Sequence, residues 1–148
     1  MNIIILFLSA LISISPVNDL QVESSTKEIT VEANDRMQFD TKEINVKAGT
    51  EITLTLKHVG KMPKQAMGHN WVLLKDGVVV KDFAMEAMKA KDNDYLPKDS
   101  KDVIVATELL GGGESDTITF DAPAKGTYTF ICTFPGHYGI MQGTLVVS

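Results

Sequence analysis

The chain has 148 residues, of which 44% are hydrophobic and 22% charged, and its formal net charge is −5. This length and composition predict one globular domain with a proper hydrophobic core. The negative charge argues against nucleic acid as a partner, and the sequence has no basic stripe that would bind an anionic membrane.

An apolar run from Ile3 to Ile14 opens the chain. The run is short for a transmembrane span and has the size of a signal-peptide core. We therefore expect residues 1–18 to be a signal peptide, residues 24–148 to be the folded domain, and the protein to be exported to the periplasm. No Lys or Arg precedes the run and Pro16 follows it, so the cleavage site stays open and an uncleaved N-terminal anchor is the alternative. With the signal cleaved, we expect no transmembrane domain.

The next elements in chain order are short strands. Their polar and apolar residues alternate, as they do in half-buried strands, and Gly- and Pro-containing turns separate them. This spacing predicts an all-β protein with two packed antiparallel sheets, one shared core and the lone Trp71 inside it. The alternating segments are Lys42–Val46, Glu51–Lys57, Asp116–Phe120 and Thr127–Cys132, and the residues expected to face the core are Ile44, Val46, Ile52, Leu54, Leu56, Ile118, Phe120, Tyr128 and Phe130.

The pattern changes around residues 82–90, where the sequence predicts a short helix packed outside the sandwich. Met85 and Met88 fall three residues apart, on one face of that helix. Because neither has a Cys or His beside it, we interpret these methionines as packing residues and not as a metal-binding row.

Near the C-terminus, the stretch Cys132-Thr-Phe-Pro-Gly-His137-Tyr-Gly-Ile-Met141 holds a thiol, an imidazole and a thioether within ten residues. Cu(I) prefers soft sulfur ligands, whereas Cu(II) accepts imidazole nitrogen. A trigonal site of two His and one Cys with a long axial Met suits neither state fully, so its geometry changes little when the copper gains or loses an electron. A lone buried Cys is more often a core residue, but its spacing to His137 and Met141 favours a copper site. Among the three histidines, His69 is the candidate for the second imidazole, because it comes just before an apolar run that predicts a strand at Trp71–Leu74. On its own, His69 could equally be a half-buried structural histidine.

From about Ile29 to its end, the chain resembles the cupredoxins and, among them, the azurins. Four residues lie between Cys132 and His137 and three between His137 and Met141, which is similar to the azurin loop and longer than that of the plastocyanins. The resemblance implies a Greek-key β-sandwich, one type 1 copper, and electron transfer without enzymatic activity. The other matching segments are Asn34-Asp-Arg-Met-Gln-Phe39, His58-Val-Gly-Lys-Met-Pro-Lys64, Met67-Gly-His-Asn-Trp71 and Gly111-Gly-Gly-Glu114.

The same resemblance implies roles for individual residues. His69, Cys132 and His137 would bind the copper, with Met141 and the backbone carbonyl of Gly68 as weak axial contacts. Asn70 would tie two loops of the site together, and His58 would lie near the copper without binding it.

The resemblance also implies how electrons enter and leave. The edge of the His137 ring would lie near the surface within an apolar patch, and redox proteins such as c-type cytochromes or copper or haem reductases would dock there. We expect the protein to be a monomer. The patch residues are Met37, Met62, Ala66, Met67, Phe134, Pro135 and Gly136.

One feature departs from the azurins, which usually carry a disulfide remote from the copper. The corresponding positions lie near Lys27 and near Gly49–Thr50, and none of these residues is Cys. A disulfide typically stabilises by about 2–4 kcal/mol, so we expect the copper-free protein to melt below its bridged relatives.

Two other functions remain open on sequence alone. A copper storage or delivery protein would use an exchangeable site, often rich in Met or paired Cys, and a structural zinc site would accept one Cys and two His. We find no matched nucleophile and base, and no phosphate-binding glycine loop, that would indicate catalysis.

Overall fold

The computed structural model of the protein describes residues 25–148. Within this range nine strands and two helices form, together with a 3-10 turn at Lys91–Asn93. In chain order they are β1 (Thr26–Asn34), β2 (Gln38–Phe39), β3 (Glu43–Val46), β4 (Glu51–His58), α1 (Lys64–Met67), β5 (Val72–Leu74), α2 (Val80–Ala87), β6 (Val103–Ala106), β7 (Ser115–Asp121), β8 (Gly126–Ile131) and β9 (Gln142–Val147).

The strands form two sheets, one with the order β2-β1-β4-β7 and one with the order β3-β9-β8-β5-β6. The predicted all-β sandwich with a short helical insert is therefore confirmed. The expectation of purely antiparallel sheets is wrong, because β1 pairs with β4, and β3 with β9, in parallel. Between β1 and β4 the chain crosses to the other sheet to form β3, and such a crossover allows parallel pairing.

The core lies between the sheets, where the alternating residues of each strand meet. In β4, Ile52, Leu54 and Leu56 are fully buried, and each such side chain stabilises the fold by about 1.5–3 kcal/mol relative to an exposed one. Trp71 is also fully buried, with its ring centroid 5.2 Å from that of Phe130. All the predicted core residues belong to this cluster, with Ile118 and Phe120 partly buried at its margin.

Helix α2 packs against the outer face of β5 and forms a second, smaller core. Its buried residues are Phe83, Ala84 and Ala87. Because they stand at positions i, i+1 and i+4, they lie on one apolar face of the helix. Met85 and Met88 lie off this face and are 49% and 41% exposed. The interpretation of these two methionines as packing residues is therefore wrong.

None of the helices in residues 25–148 has the length and apolarity needed to cross a membrane. The predicted signal peptide, residues 1–18, lies outside the residues that the structure describes.

Candidate metal centre

The loop after β8 brings Cys132, His137 and Met141 together. The Cys132 backbone N–H donates to the carbonyl of Met141 at 2.9 Å, and the Met141 N–H donates to the carbonyl of His137 at 2.8 Å. Gly136 has a φ of 83°, a left-handed conformation that glycine adopts without steric strain. The loop is thus closed at its base and turns tightly at His137.

His69 reaches the same place from the segment between α1 and β5. Its backbone pairs with Leu110, with N···O distances of 3.0 and 2.8 Å in the two directions. The His69 Nδ1 atom lies 3.9 Å from the Cys132 Sγ atom, and the His137 Nδ1 atom lies 3.7 Å from it. These three ligand atoms all lie within 4.8 Å of one another, and all three residues are buried.

A hydrogen bond fixes the tautomer of His69. Its Nε2 atom lies 2.9 Å from the backbone carbonyl oxygen of Asn34. A carbonyl can only accept, so Nε2 carries the proton and Nδ1 keeps a lone pair facing Cys132. Sequence analysis missed this role of Asn34, because it uses a backbone atom that leaves no signal in the residue type.

Burial sets the protonation of the cluster. It lowers the pKa of His69 to about 4, with a further contribution from the neighbouring His58, and it lowers the pKa of His137 to about 4. Burial also raises the pKa of the Cys132 thiol to about 12. At neutral pH both imidazoles are therefore neutral and the thiol is protonated, so a bound cation is needed to release the thiol proton.

The donor set fits copper better than zinc. Two neutral imidazoles and one thiolate, formed when a metal releases the thiol proton, are the strong ligands of a trigonal His₂Cys copper site. A structural zinc site closes with four strong ligands. Within residues 25–148, His69, Cys132 and His137 form the cluster without a fourth His, Cys, Asp or Glu.

The two expected axial contacts lie beside this cluster. The Gly68 carbonyl oxygen lies 3.8 Å from the Cys132 Sγ atom. A Cβ atom at Gly68 would lie 2.7 Å from the Lys64 carbonyl oxygen and 2.9 Å from the Phe134 ring, so only glycine fits there without displacement. Met141 is fully buried, and its backbone bonds with Cys132 and His137 keep it next to both residues.

Asn70 ties the two ligand-bearing segments together, as the resemblance implies. Its Nδ2 atom donates to the Thr133 hydroxyl at 2.7 Å, and its Oδ1 atom accepts from the Thr133 backbone N–H at 2.8 Å. Because Asn70 follows His69 and Thr133 follows Cys132, this pair holds the two ligand segments in register.

His58 lies next to the cluster but outside it, as expected. Its ring centroid is 4.5 Å from that of His69. The Gly60 N–H donates to its Nδ1 atom at 3.1 Å, so Nε2 carries the proton and donates to the Met67 carbonyl at 2.8 Å. Both nitrogens of His58 are thus engaged within the protein.

The residues of the expected apolar patch differ in exposure. Met62 is 38% exposed, while Phe134 and His137 are only 9% and 4% exposed. The two rings pack together with their centroids 4.7 Å apart. Ala66 and Gly136 are also exposed, and Met37, Met67 and Pro135 are half-buried.

Comparisons with known proteins agree with this geometry. The family model of copper binding proteins, plastocyanin/azurin family, matches residues 25–148. An azurin of Achromobacter denitrificans is 46% identical over 136 residues, which cover 87% of this chain and 89% of the relative. Outer membrane protein H.8 of Neisseria gonorrhoeae is 48% identical over 126 residues, covering 80% of this chain. The match spans 66% of the H.8 protein's own length.

A solved structure of an azurin from Methylomonas sp. strain J has a TM-score of 0.74 and 40% identity, covering 82% of this chain and 97% of that one. A solved structure of reduced auracyanin from Roseiflexus castenholzii has a TM-score of 0.76 and 38% identity, covering 84% of this chain and 99% of that one. These findings confirm the resemblance to azurins and copper as the cofactor. The chain belongs to the plastocyanin/azurin family of copper-binding proteins.

Proposed function

We propose that the protein carries one electron at a time on a single type 1 copper. His69, Cys132 and His137 would hold the metal, and Met141 and the Gly68 carbonyl would be its weak axial contacts. The observation that carries the proposal is the convergence of the two Nδ1 atoms and the thiol sulfur within 4.8 Å in a buried cluster. Bound there, copper would supply a one-electron couple between Cu(I) and Cu(II).

The chain's own residues hold the ligands in a fixed geometry and exclude water from the site. The Asn34 carbonyl orients His69, and the pair of Asn70 and Thr133 holds the two ligand segments together. Burial of all three ligands excludes water from the centre. A fixed ligand geometry reduces the rearrangement that accompanies a change of charge, which favours fast outer-sphere transfer.

We place electron entry and exit at the edge of His137. This ring is 4% exposed and packs against Phe134, one of the residues of the expected patch, and an exposed apolar patch on a monomer often serves as an interaction surface. Redox partners typically meet over small interfaces and separate quickly. We therefore expect partners such as c-type cytochromes or copper or haem reductases, bound by a monomeric carrier.

Export to the periplasm is part of the proposal. The apolar run at residues 3–14 has the size of a signal-peptide core, and the H.8 relative is named an outer membrane protein. Fractionation of cells that express the full chain tests this. Recovery in the cytoplasm would contradict export, and recovery with membranes after a salt wash would favour an uncleaved N-terminal anchor.

Visible and EPR spectra of the purified protein with Cu(II) test the proposed metal centre, with Cys132→Ser as the control. We expect an intense visible band and a narrow copper hyperfine splitting, both of which the control lacks. A colourless protein that binds copper weakly would contradict the proposal and favour storage or delivery. Tight binding of zinc with exclusion of copper would favour the structural zinc site.

A further inference from the structure

We propose that Tyr95 is a positioning residue for His137, acting through Phe134. The ring of Tyr95 supports Phe134 from the outside, and Phe134 in turn fixes the orientation of the imidazole. This inference rests on the proposed function, because it assigns a residue to the electron-transfer end of the same centre.

Three rings contact one another in the order Tyr95, Phe134 and His137, and the ring of His69 packs on His137 with centroids 5.0 Å apart. The centroids of Tyr95 and Phe134 are 5.3 Å apart with the planes at 71°, an edge-to-face contact. The centroids of Phe134 and His137 are 4.7 Å apart with the planes at 41°. Edge-to-face pairs have a preferred geometry, so the position of Tyr95 constrains the Phe134 ring.

Phe134 also contacts the backbone of Gly68. Its Cδ2 atom lies 2.9 Å from where a Cβ atom at Gly68 would stand, so the ring packs closely on the backbone of Gly68. Phe134 is therefore enclosed by Gly68, His137 and Tyr95, and of these three contacts only Tyr95 comes from the helical insert between β5 and β6.

The backbone at Tyr95 is in an unusual conformation. Asp94 and Tyr95 have φ angles of 51° and 59°, a left-handed region that is uncommon outside glycine and an outlier for a bulky residue. The Tyr95 N–H donates to the Ala90 carbonyl at 3.0 Å, and Lys64 pairs with the Asp94 carboxylate at 3.1 Å. Strain that its surroundings hold in place is a recurrent mark of functional sites.

Removing the Tyr95 ring would release Phe134. Tyr95 and Phe134 both line a cleft of about 240 Å³ that Lys64 and Lys91 border. Without the tyrosine ring, Phe134 would face this cleft and could turn into it. His137 would then lose one neighbour, and the 3.7 Å separation between its Nδ1 atom and the Cys132 sulfur would no longer be fixed.

The test compares Tyr95→Ala with Tyr95→Phe, which keeps the ring, and with Ile118→Ala as a control. Ile118 is a partly buried residue of β7 that packs against the main core, so its truncation lowers stability through a different region. The first readout is the ring ¹⁵N signals of His137 in the copper-free protein. The second is the Cu(II) hyperfine splitting of the loaded protein.

We expect Tyr95→Ala to split or broaden the His137 ring signals and to change the hyperfine splitting, while Tyr95→Phe and Ile118→Ala retain both wild-type values. His137 signals that stay at the wild-type positions in Tyr95→Ala would overturn the inference. Should Tyr95→Ala fail to fold, Tyr95→Leu takes its place with the same expected outcome. Failure of the wild type to give a type 1 spectrum would overturn the proposed function alone, because the copper-free comparison still decides the role of Tyr95.

Discussion

Asn70 holds Thr133 by both ends of its side-chain amide, through a donated bond of 2.7 Å and an accepted bond of 2.8 Å. Asn70→Ala removes both bonds and leaves the Thr133 N–H without this acceptor in a buried site. Unmade buried hydrogen bonds cost about 1–3 kcal/mol each, so for two bonds we expect a loss of about 2–6 kcal/mol in the free energy of unfolding of the copper-free protein. Urea denaturation measures it.

The control for Asn70 is Asn45→Ala. The Asn45 side chain is exposed and bonds only with the Glu43 carboxylate among the described residues, and exposed substitutions usually change stability by less than about 0.5 kcal/mol. Equal losses in the two variants would contradict the role given to the Asn70–Thr133 pair.

The stability of the copper-free protein depends on pH through His69 and His137. Burial lowers both pKa values from the ordinary 6.5 to about 4, so the unfolded chain binds more protons than the folded protein between these values. Stability is therefore fully present above pH 6.5 and falls as the pH drops towards 4. Urea midpoints measured from pH 7.5 to 4 test this, and a His69→Gln/His137→Gln double variant is expected to show a flatter dependence. Equal slopes in the two proteins would contradict it.

An engineered disulfide tests the consequence of the missing bridge. The resemblance implies Lys27 and Thr50 as the corresponding positions, but Lys27 pairs with Ile52 in the β1–β4 register. Ser25 lies next to Thr50 instead, with their hydroxyl oxygens 2.9 Å apart. A disulfide that closes the loop between Ser25 and Thr50 is expected to raise the free energy of unfolding by about 3 kcal/mol. We therefore expect the Ser25→Cys/Thr50→Cys protein to melt at a higher temperature without copper. The gain should vanish on reduction, and an oxidised protein with the wild-type melting temperature would refute the expectation.

A charge within the apolar patch tests the docking surface. Met67 is half-buried at this patch, and Met67→Lys is expected to slow electron transfer to partner proteins several-fold while it leaves the visible spectrum intact. Met85→Lys is the matched control, since Met85 is an exposed methionine on the outer helix α2. Stopped-flow kinetics with a c-type cytochrome measure both. Equal rates in the two variants would remove the patch from the mechanism.

Regular alternation of polar and apolar residues predicts four of the strands, such as β4 from Glu51 to His58. Sequence analysis missed the strands β1 and β9 although they alternate too, with Val31 and Ala33 buried in one and Leu145 and Val147 in the other. The parallel pairing of β1 with β4, and of β9 with β3, leaves no signal in the sequence, because alternation within a strand is independent of its neighbour's direction.

Some features of the candidate site can likewise be predicted from the sequence, whereas others cannot. The residue types and spacing of Cys132, His137 and Met141 are enough to indicate copper, because all three lie within ten residues of one another along the chain. The Asn34 carbonyl and the edge-to-face contact of Tyr95 cannot be found in this way, because each depends on where distant segments meet in space. Tyr95 belongs to the insert between β5 and β6, whose path only the folded chain defines.

The hydrogen bond between His69 and Asn34 joins the two layers of the sandwich. Asn34 ends β1 in one sheet, whereas Cys132 follows β8 in the other. The layers cannot slide apart at this end without breaking this bond to a metal-ligand residue, and a metal that binds only the folded form adds its binding free energy to stability. We therefore expect metal release and separation of the layers to occur as one cooperative event.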